Sequence, residues 1–222
     1  MRKLNKGVES KLVRQRLIVA SKNQGKIQEF RELFKNLKYD VLSMQDFGID
    51  ITVIEDQSDF TGNSLKKAKR ISELTKQIVL ADDSGLEVEA LNGLPGVYSA
   101  RFAGEHATDE ENNLKLLSLM KNVPESKRKA LFRCAITLYW PDGAYIQVEG
   151  TCPGKIGFTC KGEGGFGYDP LFIVAGYNKT MAELPIEEKN KVSHRAMAMR
   201  ALINKLEDKN KSGVDNKKYF HI

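Results

Sequence analysis

Two kinds of hydrophobic spacing alternate along the first half of the chain. Residues 17–20 and 78–81 are short apolar runs with the length and composition of buried strands. Between them, apolar residues at positions 27, 30, 34 and 37 repeat at the spacing of one helix face, and a second helical segment follows Asn63. Residues 41–42 indicate a further short strand. This alternation predicts an α/β fold that begins with βα units.

The second half of the chain adds a predicted hairpin. Residues 131–140 indicate a long strand, and the turn sequence Pro141-Asp142-Gly143 connects it to a second strand at 145–151. Residues 171–174 indicate one more strand, and residues 108–111 have the spacing of a capping box at the start of a helix. The hairpin predicts an antiparallel part of the sheet beyond the first βα units.

Two adjacent carboxylates follow the apolar run at 78–81. We expect Asp82, Asp83, Ser84 and Gly85 to form a turn beyond the strand, in the crevice where α/β sheets place their chemistry. Adjacent side chains would diverge there, so that one carboxylate faces a ligand while its neighbour supports the loop. The alternative is an acidic turn with only a structural role, because Asp and Gly favour turns for local reasons.

A polar turn with one glycine precedes the first predicted helix. The segment from Ser21 to Lys26 joins a strand to a helix N-terminus, an arrangement that binds anions through free backbone N–H groups. Lys26 adds a point charge, but the Walker pattern GxxxxGK[ST] is absent. The alternative is an ordinary capped βα turn. The helical segment after Asn63 carries cations that mostly form a solvated face, although one could reach a phosphate.

Glycine dominates residues 150–167, where seven glycines occur. Several would allow the main chain to approach a ligand closely. Phe166 and Tyr168 lie at the end of this stretch, and an aromatic ring on a glycine-hinged loop can stack on a nucleobase. The alternative is that both rings fill the core.

The last predicted helix begins with Ser193 as its N-cap. His194 and Arg195 then occupy the first turn, where the helix dipole disfavours cations. A placement that is unfavourable for stability favours a ligand role for these two side chains.

Charge and composition narrow the functional classes. The formal charge of +6 lies entirely in two tails, because residues 1–16 carry six cations against one carboxylate and residues 207–222 carry four lysines against three acids. We therefore expect a mobile basic extension at 1–16, one domain at 17–206 and a polar tail at 207–222. A core of zero net charge argues against a stable nucleic-acid partner.

Cysteine usage and hydropathy point to the cytoplasm. The three cysteines form no CxxC pair, which argues against a disulfide framework or a zinc site and favours a reducing compartment. No apolar run approaches the ~20 residues that a membrane span requires, and the N-terminus lacks the apolar region of a signal peptide. We expect a cytoplasmic protein without a membrane partner.

Taken together, short motifs in this order resemble the inosine triphosphate pyrophosphatase family, the non-standard purine nucleoside triphosphate pyrophosphatases of the HAM1/RdgB type. The motifs span positions 17–206 and are Ser21-x-Asn23-x-x-Lys26, Phe60-x-x-Asn63 with Lys67-Ala68, Ala81-Asp82-Asp83-Ser84-Gly85-Leu86, Gly93-x-Pro95-Gly96-x-Tyr98-Ser99-Ala100-Arg101, Gly164-Gly165-Phe166-Gly167-Tyr168-Asp169-Pro170 and Ser193-His194-Arg195.

The resemblance implies an elongated α/β fold in which two lobes flank a substrate cleft around a long mixed, partly antiparallel sheet. It also implies a homodimer and Mg²⁺-dependent hydrolysis of ITP, dITP and XTP to the monophosphate and pyrophosphate. Asp83 would be the catalytic proton acceptor, and Glu55 and Asp83 would bind the metal. The residues implied to hold the triphosphate are Ser21, Lys22, Asn23, Gln24, Gly25, Lys26 and Lys67, with Ser84 also touching substrate. The implied base pocket consists of Phe166, Gly167, Tyr168, Asp169, Lys189, His194 and Arg195.

One position departs from the family pattern. Where the family has Phe-x-Glu-Asn, this chain has Phe60-Thr61-Gly62-Asn63, so that a carboxylate is missing at Gly62. Two other functions remain open from the residues. One is a pyrophosphatase of other modified nucleotides, and the other is a nucleotide- or RNA-binding protein without catalysis.

Overall fold

The computed structural model describes residues 14–211 except residues 36 and 38, and it contains one six-stranded mixed sheet. The strands are β1 Gln15–Val19, β2 Tyr39–Ser43, β3 Ile78–Val88, β4 Lys129–Tyr139, β5 Tyr145–Ile156 and β6 Phe172–Val174. Their order across the sheet is β2-β1-β3-β4-β5-β6. β1 is parallel to β2 and β3, whereas the three pairs from β3 to β6 are antiparallel. The predicted α/β fold with a mixed, partly antiparallel sheet is confirmed.

Five α-helices cover the sheet in the described part of the chain. They are α1 Gln24–Leu33, α2 Phe60–Thr75, α3 Asp109–Leu119, α4 Ile186–Val192 and α5 His194–Lys211. The capping box predicted at the start of α3 is present, with Thr108 and Glu111 bonded reciprocally. α4 was not predicted, because its charged sequence carries little apolar periodicity. None of the helices in the described ranges combines the length and apolar composition needed to cross a membrane.

The expected acidic turn after the central strand is wrong. Asp82, Asp83, Ser84 and Gly85 lie within β3, which continues to Val88. The reason is β4, which pairs with β3 in continuous register from Val79↔Tyr139 to Val88↔Ala130 and satisfies the backbone groups that a turn would otherwise leave open. Side chains alternate along a strand. Asp82 and Ser84 therefore point to one face of the sheet and Asp83 to the other.

The neighbour on the other side of β3 stops early. β1 pairs with β3 at only three positions, Leu17↔Ile78 to Val19↔Leu80. Beyond Leu80, the edge of β3 that paired with β1 faces the space past the end of β1. Side chains from both faces of β3 can reach this space. The rule that a site lies beyond the carboxyl end of a parallel strand holds here for β1.

Two lobes flank this space. In the first lobe, β1 and β3 bury alternate residues on opposite faces of the sheet. Leu17 and Val19 pack against α1 and α5. Ile18 and Val79 pack against α2 on the other face. The second lobe has a separate core around the far half of β3, which packs with α3, β4 and β6 through Leu116, Phe132 and Phe172. The predicted two-lobed arrangement thus corresponds to separate hydrophobic cores along one sheet.

Both predicted domain boundaries fall inside secondary structure. Gln15 and Arg16, assigned from sequence to the N-terminal extension, pair with Tyr39 and Asp40, and α5 continues to Lys211. The rest of the two predicted tails, 1–13 and 212–222, lies outside the described residues.

One glycine of the glycine-rich stretch has a packing role. Gly150 lies in β5, where a Cβ would collide with the backbone of His194 and Ala198. This glycine allows α5 to pack closely on the sheet.

Candidate functional site

A cleft of about 320 Å³ opens beside the free edge of β3. Fourteen of the residues predicted for the site line it: Ser21, Lys22, Asn23, Lys26, Glu55, Lys67, Asp83, Ser84, Phe166, Gly167, Tyr168, Asp169, His194 and Arg195. Gln24, Gly25 and Lys189 do not line it. Segments that are far apart in the chain thus converge on one cavity, whose residues come from both lobes.

The turn before α1 forms one wall of the cleft. Asn23 caps the helix, and its side-chain oxygen accepts a hydrogen bond from Lys26 N at 3.0 Å. Ser21 Oγ accepts another from Asn23 N at 3.1 Å. The remaining N–H groups of the first turn, together with the helix dipole, favour an anion here. Lys26 extends from this turn, and its Nζ lies 2.9 Å from Asp82 Oδ2.

Asp83 is the central side chain on one face of β3. Asn63 Nδ2 donates to its Oδ2 at 2.9 Å, and Lys67 Nζ lies 3.9 Å from its Oδ1. Asn63 and Lys67 are one turn apart on α2, so a single helix face addresses the carboxylate. Burial raises the pKa of Asp83, although Lys67 opposes the shift. A buried carboxylate with a raised pKa is a suitable proton acceptor.

Glu55 and Asp83 both interact with the same cation, the ammonium group of Lys67. Lys67 Nζ contacts Glu55 Oε1 at 2.7 Å, and Arg101 Nη1 lies 3.9 Å from Glu55 Oε2. Burial would raise the pKa of Glu55, but the charge and hydrogen bond of Lys67 together with the charge of Lys26 hold the pKa below its usual value. Glu55 is therefore ionised at neutral pH.

These two carboxylates fit a magnesium ion that is shared with phosphate. Both face the same cleft, and both interact with the Lys67 ammonium group. No group of three or more His, Cys, Asp or Glu side chains suited to a metal occurs among residues 14–211, with 36 and 38 left aside. Mg²⁺ does not need such a group, since it commonly takes one or two carboxylates and completes its shell with phosphate oxygens and water.

The opposite face of β3 carries a buried chain of alternating charges. We call it the ion chain, and it runs Lys26, Asp82, Arg195, Glu29, Lys189 and Asp169. Arg195 Nη1 contacts Glu29 at 2.8 Å, and Lys189 Nζ contacts both Glu29 and Asp169 at 2.7 Å. Glu29 and Asp82 explain how Arg195 is tolerated at the helix N-terminus. Lys189 supports the pocket from behind, because its side chain is only 4% exposed and does not line the cleft.

His194 contributes a neutral ring to the cleft. Its imidazole stacks on Phe132 with ring centroids 4.7 Å apart. Burial, reinforced by Arg195 and Lys189, lowers the pKa of His194 well below its usual value. Its buried Nδ1 has no hydrogen-bond partner among the described residues. A neutral histidine with an unpartnered nitrogen can bond a polar group on a ligand.

Phe166 covers two cations of the ion chain, Arg195 and Lys189. Its ring centroid is 4.9 Å from Arg195 Cζ and 5.2 Å from Lys189 Nζ. A Cβ at Gly25 would lie 2.5 Å from the Phe166 ring. Gly25 therefore belongs to the site as the position that leaves room for this ring.

Sequence reasoning missed Glu29 and assigned no role to Asn112 and Asn113. Glu29 is 6% exposed and bonds two cations. Its position three residues after Lys26, on the buried side of the first helix, was the available signal. Asn112 and Asn113 are buried polar residues of α3 that bond loops of the cleft. Adjacent polar residues near a helix start are common on surfaces, so their burial had no clear signal.

Comparison with known proteins identifies close relatives. A family model described as the Ham1 family matches residues 17–205. A dITP/XTP pyrophosphatase of Desulforamulus reducens is 51% identical over 185 residues, which cover 83% of this chain and 92% of the relative. A dITP/XTP pyrophosphatase of Geobacter sulfurreducens is 49% identical over 187 residues, with 84% and 94% covered.

Solved structures agree in fold. The Ham1 protein of Staphylococcus aureus superposes with a TM-score of 0.77 at 42% identity and covers 88% of this chain and 100% of its own. A HAM1 protein from Coxiella burnetii gives a TM-score of 0.78 at 37% identity, with 87% and 99% covered.

Proposed function

The chain belongs to the Ham1 family, and on that basis we propose that it is a pyrophosphatase of non-standard purine nucleoside triphosphates. Its substrates are ITP, dITP and XTP, which it hydrolyses to the monophosphate and pyrophosphate with Mg²⁺. The names of its relatives, dITP/XTP pyrophosphatase, support this substrate class. The observation that carries the proposal is Asp83, a buried carboxylate with a raised pKa, held between Asn63 and Lys67 at the cleft.

The wall that carries the turn before α1 receives the triphosphate. A triphosphate carries about four negative charges, so its binding requires donors and cations. The first turn of α1 supplies backbone N–H groups, while Lys26 and Lys67 supply ammonium groups. Glu55 and Asp83 would hold Mg²⁺, and the ion would supply further neutralisation of the phosphate charge.

Asp83 orients the attacking water and accepts its proton. The water oxygen forms a bond to the α-phosphorus, and the bond from that phosphorus to the oxygen leading to the β-phosphate breaks. The electron pair leaves with pyrophosphate. Asn63 fixes one carboxylate oxygen of Asp83, so the group has a defined orientation before substrate arrives.

The far end of the cleft binds the base. Arg195 and neutral His194 can donate hydrogen bonds to the 6-keto oxygen of hypoxanthine or xanthine, and Phe166 supplies a ring. Adenine carries a 6-amino donor and would leave buried donors unpaired, which can reduce activity by ~10⁴-fold or more. ATP is therefore a poor substrate.

The proposal also covers the oligomeric state and the cellular location of the protein. We place it in the cytoplasm as a homodimer, with a nucleotide as its small-molecule substrate and without a stable nucleic-acid or membrane partner. Nucleotide-pool cleansing is the role that this specificity serves.

A panel of nucleotides tests the activity. Purified protein is incubated with ITP, dITP, XTP, GTP and ATP, with and without Mg²⁺, and monophosphate is resolved from diphosphate. We expect pyrophosphate release in one step and no turnover in excess chelator. Stepwise orthophosphate release through a diphosphate would contradict the proposed cut, and nucleotide binding without any hydrolysis would favour a binding protein.

A further inference from the structure

The loop that carries Phe166 is clamped by a helix of the second lobe. Asp109 Oδ2 accepts a hydrogen bond from Gly167 N at 2.6 Å, and Asn113 Nδ2 donates one to Gly167 O at 2.8 Å. Asp109 and Asn113 are one turn apart on α3, so they address the N–H and C=O groups of the same residue. Asn113 Nδ2 also donates to Asp109 O at 2.8 Å, which fixes the amide. We call this pair the α3 clamp.

The clamped residue follows the aromatic ring of the base pocket directly. Gly165 and Gly167 flank Phe166 and both have positive φ, at 79° and 61°. Such backbone has no side chain to hold it, and glycine gives it wide conformational freedom. On the other side of Gly167, Tyr168 is anchored by its hydroxyl, which donates to Ser99 O at 2.9 Å. Asp169 Oδ2 also accepts a hydrogen bond from Phe166 N at 3.1 Å. With this bond and both partners of the clamp in place, the short segment between Gly165 and Tyr168 has one defined path.

We propose that Asp109 and Asn113 are positioning residues for base recognition. By holding Gly167, they set the place of the Phe166 ring over Arg195 and Lys189. The inference rests on the proposed function, since it concerns how the same cleft selects a purine. Loss of the clamp loosens base recognition and leaves the triphosphate end of the cleft, built from α1, α2 and β3, unchanged.

Asp109 offers a clean test because a neighbour resembles it closely. Glu110 is also an exposed acid in the first turn of α3. Within the described residues, it makes no hydrogen bond to the loop that carries Phe166. Both residues favour the helix through its dipole. Glu110→Ala is therefore the matched control for Asp109→Ala. Asp109→Asn keeps an oxygen that can accept from Gly167 N and serves as the conservative variant.

The experiment separates base binding from phosphate binding. IMP affinity is measured by calorimetry, inorganic triphosphate is tested as a competitive inhibitor, and kcat/KM is measured for ITP and ATP. For Asp109→Ala we expect about a 10-fold loss of IMP affinity and a similar fall in the ITP/ATP ratio, consistent with one lost charge-assisted hydrogen bond. The inhibition constant of inorganic triphosphate should stay within twofold, and Glu110→Ala and Asp109→Asn should resemble wild type.

A second variant guards against an effect of charge alone. Asn113→Leu removes the donor to Gly167 O without changing charge, and it should lower IMP affinity in the same way. Amide exchange at Gly167 should accelerate in Asp109→Ala and not in Glu110→Ala. Two results would refute the clamp. One is an unchanged IMP affinity in Asp109→Ala and Asn113→Leu, and the other is a weakening of inhibition by inorganic triphosphate equal to the loss of IMP affinity.

Failure of the proposed function has a different signature. Wild-type protein that binds IMP but does not hydrolyse ITP would refute the pyrophosphatase and leave the clamp to be judged on IMP binding. Wild-type protein that neither binds IMP nor hydrolyses ITP would refute both.

Discussion

At the scale of single residues, the cleft depends on side chains that their neighbours hold in place. Asp83 could be proposed from sequence, because its motif is distinctive. Glu29 was missed despite its position on the buried side of α1, because its partner Arg195 is 166 positions away and a lone acid in an amphipathic helix usually faces solvent. The sequence does not show which charged residues form ion pairs. Such a pair decides whether a charged side chain can be buried.

Replacing Asp83 tests the proposed proton acceptor. Asp83→Asn should retain the fold and nucleotide binding but lose ~10²–10⁴-fold in kcat, because the amide cannot accept the proton. The measurement is kcat for ITP, with IMP binding as the control for an intact cleft. Activity within a few-fold of wild type would move the role elsewhere, and Asp82 would be the next residue to test.

Replacing Arg195 tests base discrimination. Arg195→Ala should lower kcat/KM for ITP far more than for ATP, because the lost donor faces a 6-keto group only in ITP. The variant also leaves Glu29 and Asp82 without a partner. Its free energy of unfolding should therefore be measured beside the kinetics. Equal proportional losses on both nucleotides would mean that Arg195 supports the fold or the phosphates.

At the scale of elements, β3 is the most instructive difference between expectation and structure. Two charged residues after an apolar run usually indicate that a strand has ended. β3 continues because β4 pairs with it along its whole length and because Lys26 and Lys67 neutralise its carboxylates. Strand pairing is not local in sequence, which explains why the helices with clear periodicity were predicted and this extension was not.

A buried arginine joins two elements of the second lobe. Arg128 is 1% exposed and donates to four carbonyl oxygens, those of Met120, Val123, Ile156 and Gly157. Arg128→Met should lower the free energy of unfolding by at least about 3 kcal/mol, because several buried acceptors lose their donor. Urea denaturation measures this, and the exposed neighbour substitution Lys127→Met is the control. A loss below ~1 kcal/mol would contradict this structural role.

At the scale of the whole molecule, the overall architecture could be predicted from the sequence, and the matched family region spans nearly the predicted domain. Motif order over 17–206 matched the family, and the mixed sheet and two cores agree with that expectation. Secondary structure extends slightly beyond the predicted domain, because Gln15 and Arg16, which carry no apolar signal, pair with β2. Edges of a fold are set by such contacts more than by composition.

The stability of the whole molecule should depend on pH through His194. Its folded-state pKa is well below the usual value, since burial and the nearby charges of Arg195, Lys189 and Lys26 outweigh the attraction of Asp82. The unfolded chain binds a proton below about pH 6.5 while the folded chain does not. The free energy of unfolding should therefore fall as the pH decreases below that value, by up to ~1.4 kcal/mol per pH unit from this group.

A comparison of wild type with the His194→Gln variant isolates the contribution of His194 to the pH dependence. Denaturation of wild type and His194→Gln between pH 7.5 and 5.5 should give a wild-type curve that falls more steeply. His106→Gln, which removes an exposed histidine, is the matched control. Parallel curves for wild type and His194→Gln would mean that the buried ring accepts a proton in the folded state.

The alternation of side chains along β3 has a consequence for how this enzyme could change. Asp83 and Asp82 are neighbours in sequence, yet one lies beside Lys67 and the other beside Arg195 on opposite faces of the strand. Under the proposed function, substitutions at Arg195, Glu29, Lys189 and Asp169 could change the nucleobase that is accepted while Asp83, Asn63 and Lys67 stay as they are. A laboratory evolution experiment that randomises these four residues in pairs of opposite charge, and keeps Lys26 and Asp82, would test this separation.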